Sequence, residues 1–189
     1  MDLTQRSGNH PGKWTTFFAM IATSVVAMFV LTYFNSWRID HNFFSQTRMW
    51  MALMMGMAMI IIMLGFMWGM YRSTMAKALV MGAALIGGAT FLYLVRSQDT
   101  VDDTAWMKAM IPHHSIAVLT SARANLSDPR VRKLADGIIA AQVKEIEEMK
   151  LLIADIEKNG EEGDGRPIPA RGAELTPELE AEARAAAAR

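Results

Sequence analysis

Three long runs of uncharged, apolar residues constrain this chain more than any other feature. They cover residues 14–34, 49–71 and 78–95, which are 21, 23 and 18 residues long. About 20 helical residues cross a hydrocarbon core of about 30 Å, so the first two runs span a bilayer easily and the third just does. Only five of the 38 charged residues lie between residues 14 and 95. The sequence therefore predicts an all-α protein with a membrane domain of three transmembrane helices over residues 1–96.

The first run is interpreted as a retained helix, because it is too long for a signal peptide and no small-x-small cleavage site follows it. With the N-terminus in the cytoplasm, four cations lie near the inner face and three near the outer face, which the positive-inside rule favours. The four are Arg6, Lys13, Arg72 and Lys77, and the three are Arg38, Arg48 and Arg96. Three crossings put the two ends on opposite sides, so we expect the C-terminal part outside.

The second run contains nine of the 17 methionines. Five of them repeat every four residues and form a slowly winding stripe on one helix face. These five are Met51, Met55, Met59, Met63 and Met67. Two interpretations stay open: packing by a flexible apolar side chain, or a ladder of thioethers for a soft cation such as Cu(I).

Small residues in the second and third runs indicate close contacts between helices, and they leave open which helix each ridge meets. Gly65-x-x-x-Gly69 and Ala84-x-x-x-Gly88 both allow close backbone approach between membrane helices. The short connection between the two runs predicts an antiparallel pair.

The charged remainder of the chain predicts two amphipathic helices over residues 97–159. Asp102, Asp103 and Thr104 form an acidic start for the first helix, and Asp128-Pro129 starts the second. The short turn between them predicts an antiparallel hairpin. Two helices make a poor core alone, so we expect a second copy or another partner to complete a four-helix bundle. Residues 160–189 are expected to form a flexible linker and a short C-terminal helix.

The stretch Met107-x-x-Met110-Ile-Pro-His113-His114 carries the candidate chemistry. On a helix, Met107, Met110 and His114 share one stripe, and Pro112 disturbs the turn before the His pair. Thioethers and imidazoles form a soft, uncharged ligand set that favours copper, Cu(I) first, over Mg²⁺, Ca²⁺ or Zn²⁺. The alternative is that each Met is a core residue and the histidines are structural.

The second amphipathic helix offers a complementary stripe of Gln142, Glu145 and Met149. Folding the hairpin about residue 127 pairs position n with roughly 254 − n, so this stripe faces the Met/His stripe. Glu145 or Gln142 would then orient an imidazole, and Met149 would add a sulfur. Glu145 could otherwise be a partly buried ion-pair partner.

These residues resemble the bacterial family called domain of unknown function 305. The resemblance rests on Met107-x-x-Met110-Ile-Pro-His113-His114-x-x-Ala117 and on Ile138-Ile139-x-x-Gln142-x-x-Glu145-Ile146-x-x-Met149, within residues 100–158. It implies a ferritin-like helical fold, a periplasmic location and an association with copper binding and copper tolerance. It also implies that His113, His114, Met107, Met110 and Met149 are copper ligands. Membrane-anchored members are also similar in the stretch Thr47-Arg48-x-x-Met51-Ala52-x-Met54-Met55. Longer members carry the His-His motif twice, whereas this chain has it once, which favours dimerisation.

The sequence thus predicts a Cu(I)-binding protein of the bacterial cytoplasmic membrane that buffers, tolerates or delivers copper at the outer face. His41 and the upper methionines, Met51 first, are a second candidate station. We expect no catalysis, because a ferritin-like metalloenzyme needs Glu-x-x-His motifs that the chain lacks. A structural or assembly subunit of a membrane complex is the alternative. Expected partners are the lipid bilayer, a second copy and a copper donor or acceptor protein.

Composition excludes several other classes. The chain has no cysteine, which rules out disulfides, Cys-based zinc sites, iron–sulfur clusters and thiol catalysis. Its formal net charge of zero argues against nucleic-acid binding.

Overall fold

The computed structural model describes residues 11–164, 166–170 and 172–188, and the described part of the chain forms six α-helices and no strand. The helices are α1 (Pro11–Leu31), α2 (Gln46–Phe66), α3 (Thr74–Ser97), α4 (Asp103–Arg123), α5 (Pro129–Asn159) and α6 (Pro177–Ala187). Short 3-10 turns lie at Ile39–His41 and Trp68–Met70. The all-α prediction is confirmed. Arg6, one of the cations used in the orientation argument, lies outside the described residues.

Three helices are long and apolar enough to cross a membrane, as predicted. The candidate spans are Lys13–Leu31, Gln46–Phe66 and Thr74–Ser97. The second and third begin three or four residues before their apolar runs, because serine side chains cap them. Ser45 Oγ accepts the Arg48 N–H, and Ser73 Oγ accepts the Ala76 N–H, each at 3.2 Å. Such caps satisfy backbone donors that a helix start leaves open.

The chain divides into two compact units. The first comprises residues 1–35 and 42–109, and the second comprises residues 36–41 and 110–189. Helix α4 therefore begins in the first unit and continues in the second.

In the first unit, α2 packs against both α1 and α3. Its buried residues repeat every four positions: Ala52, Gly56, Ile60 and Leu64. A Cβ on Gly56 would lie 2.6 Å from Val25 Cγ2, so α1 and α2 approach closely at this glycine. Only a residue without a side chain permits that separation.

The predicted close approach is confirmed for Ala84 and Gly88 on α3. It is wrong for Gly65 and Gly69 on α2. Ala84 is buried, and a Cβ on Gly88 would lie 3.5 Å from Met57 Cβ. By contrast, Gly65 and Gly69 have open space around the Cβ position. Helix α2 ends at Phe66, so Gly69 lies in the following 3-10 turn and the Gly-x-x-x-Gly ridge does not form.

A leucine at Gly56 is expected to destabilise the first unit by about 1–3 kcal/mol, since overpacking a tight contact costs that much. Gly65→Leu is the matched control, because the same side chain on the same helix meets open space there. Thermal unfolding in detergent should give a lower midpoint for Gly56→Leu than for Gly65→Leu. Equal midpoints would contradict the close approach of α1 and α2.

Side-chain caps start α5 and α6, the two helices that lie wholly within the second unit. Asp128 Oδ1 accepts the Arg130 N–H at 2.8 Å and starts α5, as predicted. Thr176 Oγ1 accepts the Leu179 N–H at 3.3 Å and starts α6. The buried face of α5 includes Ile146, Met149 and Ile153. These residues are the apolar side chains that position the candidate site.

Candidate metal centre

Helix α4 positions the Met and His residues that the sequence singles out. Within the second unit, Ile111, Ser115 and Val118 form a buried stripe on this helix, none of them more than 2% exposed, and Pro112 is buried beside it. Pro112 is accommodated inside the helix without ending it. Because successive helical residues are 100° apart, His114 lies at the edge of the buried stripe and His113 lies away from it.

His114 faces α5, where Glu145 is its nearest charged partner. The His114 Nδ1 lies 3.1 Å from the Glu145 Oε2, and the His114 side chain is only 15% exposed. The distance is that of an ion pair, but the ring is not aligned for a hydrogen bond, so this buried nitrogen has no hydrogen-bond partner among the described residues. Hydrogen bonds are strongly directional, so the short distance alone does not make one here.

Glu145 is held in place from its own helix. The Gln142 Nε2 donates to the Glu145 Oε2 at 3.2 Å, across one helical turn. A second contact, in which the Arg132 Nη2 donates to the Ser121 carbonyl oxygen at 2.9 Å, also joins α5 to α4. The structure therefore brings His114, Glu145 and Gln142 together.

The charge state of His114 suits a metal ligand. Burial lowers the pKa of His114 below its ordinary value, the Glu145 carboxylate opposes this shift, and His113 adds to it. A lowered pKa favours the neutral imidazole near pH 7, and neutral imidazole is the form that binds a metal.

His113 has a different environment from its neighbour. It is exposed, and the centroids of the two imidazole rings are 6.2 Å apart with their planes tilted by 57°. His113 therefore stands on the solvent side of the pair, and His114 on the protein side.

The three candidate sulfurs differ in burial. Met110, one turn before His114 on α4, is half-buried. Met149, one turn after Glu145 on α5, is 6% exposed, and Met107 is 4% exposed. Met107 belongs to the first unit, whereas Met110 and Met149 belong to the second.

Comparison with known proteins supports the expected family. The family model described as domain of unknown function (DUF305) matches residues 89–187, which is just over half of the chain. The chain belongs to the DUF305 family. One relative, "Uncharacterized protein L153" of Acanthamoeba polyphaga mimivirus, is 30% identical over 142 residues, which cover 71% of this chain and 91% of that protein. No solved structure matches the chain.

The DUF305 segment contains the whole candidate set on α4 and α5. Among the described residues, no three His, Cys, Asp or Glu side chains converge on one point.

His41 lies outside the DUF305 match, and the structure gives it partners that the sequence did not reveal. It is 7% exposed, and its Nδ1 lies 2.9 Å from the Ser115 Oγ on α4. Its neighbour Asp40 pairs with Lys150 of α5 at 2.8 Å, and the hydrogen bond from Lys150 holds the pKa of Asp40 well below its usual range. Burial first, and the charge of Lys150 second, lower the pKa of His41.

Met51, the other residue of the second candidate station, belongs to the first unit, whereas His41 belongs to the second. Met51 and Met55 are exposed. Further along the stripe, Met59, Met63 and Met67 pack against the core of α1, α2 and α3. Met51, Met55, Met59 and Met63 each directly precede a residue of the buried stripe of α2, so the two stripes run side by side.

Proposed function

We propose that this protein is a membrane-anchored Cu(I)-binding protein that buffers, tolerates or delivers copper at the outer face of a bacterial cytoplasmic membrane. Copper is the cargo, and no catalysis is involved. The observation that carries the proposal is the buried, unbonded Nδ1 of His114 beside Glu145, one helical turn from the Met110 thioether.

The pairing of His114 with Glu145 suggests how the imidazole would bind a metal. Histidines that ligate metals usually donate their other ring N–H to a carboxylate or a carbonyl oxygen. Here Nδ1 faces Glu145, which leaves Nε2 as the nitrogen for the metal. A small rotation of the ring would complete the hydrogen bond to Glu145.

The remaining ligands of the proposed site are sulfurs. Met110 and Met149 supply thioethers from α4 and α5, and the exposed His113 adds a second imidazole on α4. Thioethers suit Cu(I) and bind hard cations poorly. The absence of cysteine leaves methionine as the soft ligand of this chain.

The proposed architecture is a ferritin-like half-bundle in which α4 and α5 form an antiparallel hairpin. The contacts Ser121–Arg132 and His114–Glu145 support the antiparallel arrangement, since their residue numbers sum to nearly the same value. A second copy would complete the bundle, because Leu134 and Leu152 of α5 are apolar and exposed.

A structural or assembly subunit of a membrane complex is the second candidate. The packing of Met59, Met63 and Met67 against the core of the first unit favours it, because it shows methionine serving as an ordinary apolar side chain. This role would need no metal at all.

Copper stoichiometry of the purified full chain separates the two candidates. The proposed function predicts about one Cu(I) ion per chain in competition with a Cu(I) chelator, and no comparable retention of Mg²⁺ or Zn²⁺. Met75→Leu is the control, since Met75 is 70% exposed and lies far along the chain from the site. A wild-type protein that releases all its copper to the chelator would leave only the structural role.

A further inference from the structure

Residues 36–41, named here the loop clamp, connect α1 to α2 along the chain but belong to the second unit. The loop clamp is anchored on Ser115 of α4, a side chain that is completely buried. The Trp37 backbone N–H donates to the Ser115 Oγ at 2.8 Å, and the His41 Nδ1 lies 2.9 Å from the same oxygen. One hydroxyl thus holds both ends of the segment.

The Ser115 hydroxyl engages two partners at once. Its oxygen accepts the Trp37 N–H, and a hydroxyl with one donor and two acceptor sites can also pair with the His41 Nδ1. The His41 Nε2 lies 4.0 Å from the Asp40 Oδ2. The ring of His41 is thus held inside the second unit through Nδ1.

A second anchor ties the loop clamp to α5. The Lys150 Nζ donates to the Asp40 Oδ2 at 2.8 Å, and the Arg38 Nε donates to the Asp40 Oδ1 at 2.9 Å. Lys150 directly follows Met149, just as Ser115 directly follows His114. Each anchor of the loop clamp therefore lies next to a candidate metal ligand.

We propose that Ser115 and His41 are positioning residues for the copper site, and that binding of Cu(I) and closure of the loop clamp favour each other. A helix residue cannot turn without its neighbour, so the bonds to Ser115 fix the direction in which His114 leaves α4. Coupling between two such sites is reciprocal: a closed clamp strengthens copper binding, and bound copper protects the clamp. The copper half of this proposal rests on the proposed function.

The clamp itself is tested without copper by hydrogen exchange of the full chain in detergent. Ser115→Ala removes the acceptor of the Trp37 N–H, so exchange at Trp37 should become roughly tenfold faster, which corresponds to the loss of one hydrogen bond. Thr120→Ala is the matched control, because the Thr120 hydroxyl bonds only to carbonyl oxygens of its own helix. Equal exchange rates at Trp37 in the two variants would show that Ser115 does not anchor the loop clamp.

The coupling is tested by adding Cu(I) to the same proteins. Saturating Cu(I) should slow exchange at residues 36–41 several-fold in the wild type and have no such effect in Ser115→Ala. The Cu(I) affinity of Ser115→Ala should fall by a similar factor. An affinity equal to that of Thr120→Ala would overturn the positioning role. A wild type that binds no copper would instead contradict the proposed function. The hydrogen-exchange comparison without copper would then still test whether Ser115 holds the loop clamp.

Variants of His41 separate positioning from ligation. Asparagine can place an acceptor near the Nδ1 position, so His41→Asn should retain most of the copper affinity and the protection of Trp37. His41→Ala should lose both. If both variants lose copper affinity alike while Trp37 stays protected, His41 is a ligand and the positioning role is wrong. Circular dichroism of each variant verifies that the helices persist.

Discussion

Replacing His114 by alanine is expected to weaken Cu(I) binding by at least about 100-fold, which is the upper end of what loss of a supporting group costs a metal site. The reason is the environment of the ring. His114 is 15% exposed, faces Glu145 and has an unbonded Nδ1. We expect the His114→Ala variant to remain helical. Competition with a Cu(I) chelator measures the affinity, and circular dichroism measures the fold.

His113→Ala is the matched control for this prediction, because it removes the same ring from the adjacent position. His113 is exposed, so its loss should cost less than about tenfold in affinity, as expected for a ligand that water can replace. The double variant His113→Ala/His114→Ala should bind no Cu(I) at the chelator concentration that the wild type withstands. A larger loss from His113→Ala than from His114→Ala would contradict the assigned roles.

The element boundaries that follow from a local capping motif could be predicted. Asp128 and Pro129 start α5 because an aspartate accepts a backbone N–H and a proline needs no donor at that position. The starts of α2 and α3 were placed late, because hydropathy marks where apolar residues begin and not where a helix begins. Ser45 and Ser73 lie outside the apolar runs, yet their hydroxyls set the first turns.

Contacts between residues far apart in the chain were harder to predict. The repeat of four on α2 was visible, but periodicity alone does not say which of two neighbouring stripes is buried. The structure buries Ala52, Gly56, Ile60 and Leu64, because small residues let α1 approach. Of the methionines beside them, Met59, Met63 and Met67 pack against the core, and Met51 and Met55 are exposed.

The candidate site was predicted in part for the same reason. Spacing along a helix is local, so the stripe that joins Gln142 to Glu145 could be read directly from the sequence. The predicted approach of Glu145 to an imidazole agrees with its contact with His114, although pairing n with 254 − n puts Glu145 nearest Met110, one turn earlier on α4. The bond between His41 and Ser115 spans 74 residues, and no sequence pattern links two such positions.

Exchanging Met110 and Met149 together for leucine is expected to lower Cu(I) affinity by about 100-fold, if each thioether contributes roughly tenfold. Leucine is close to methionine in volume, so the swap should cost less than about 1.5 kcal/mol of stability at each position. The change therefore removes sulfur while leaving packing almost intact. Circular dichroism and the thermal midpoint of the same variant verify that its packing is retained.

The matched control for the sulfur exchange is Met51→Leu/Met55→Leu on α2, where both methionines are exposed. If the stripe on α2 only packs or faces lipid, this variant keeps the wild-type Cu(I) affinity and thermal midpoint. A loss of copper in the control variant would make the stripe part of the binding path and would revive its interpretation as a thioether ladder. Unchanged Cu(I) affinity in Met110→Leu/Met149→Leu would contradict the sulfur site, since these two thioethers are its proposed soft ligands.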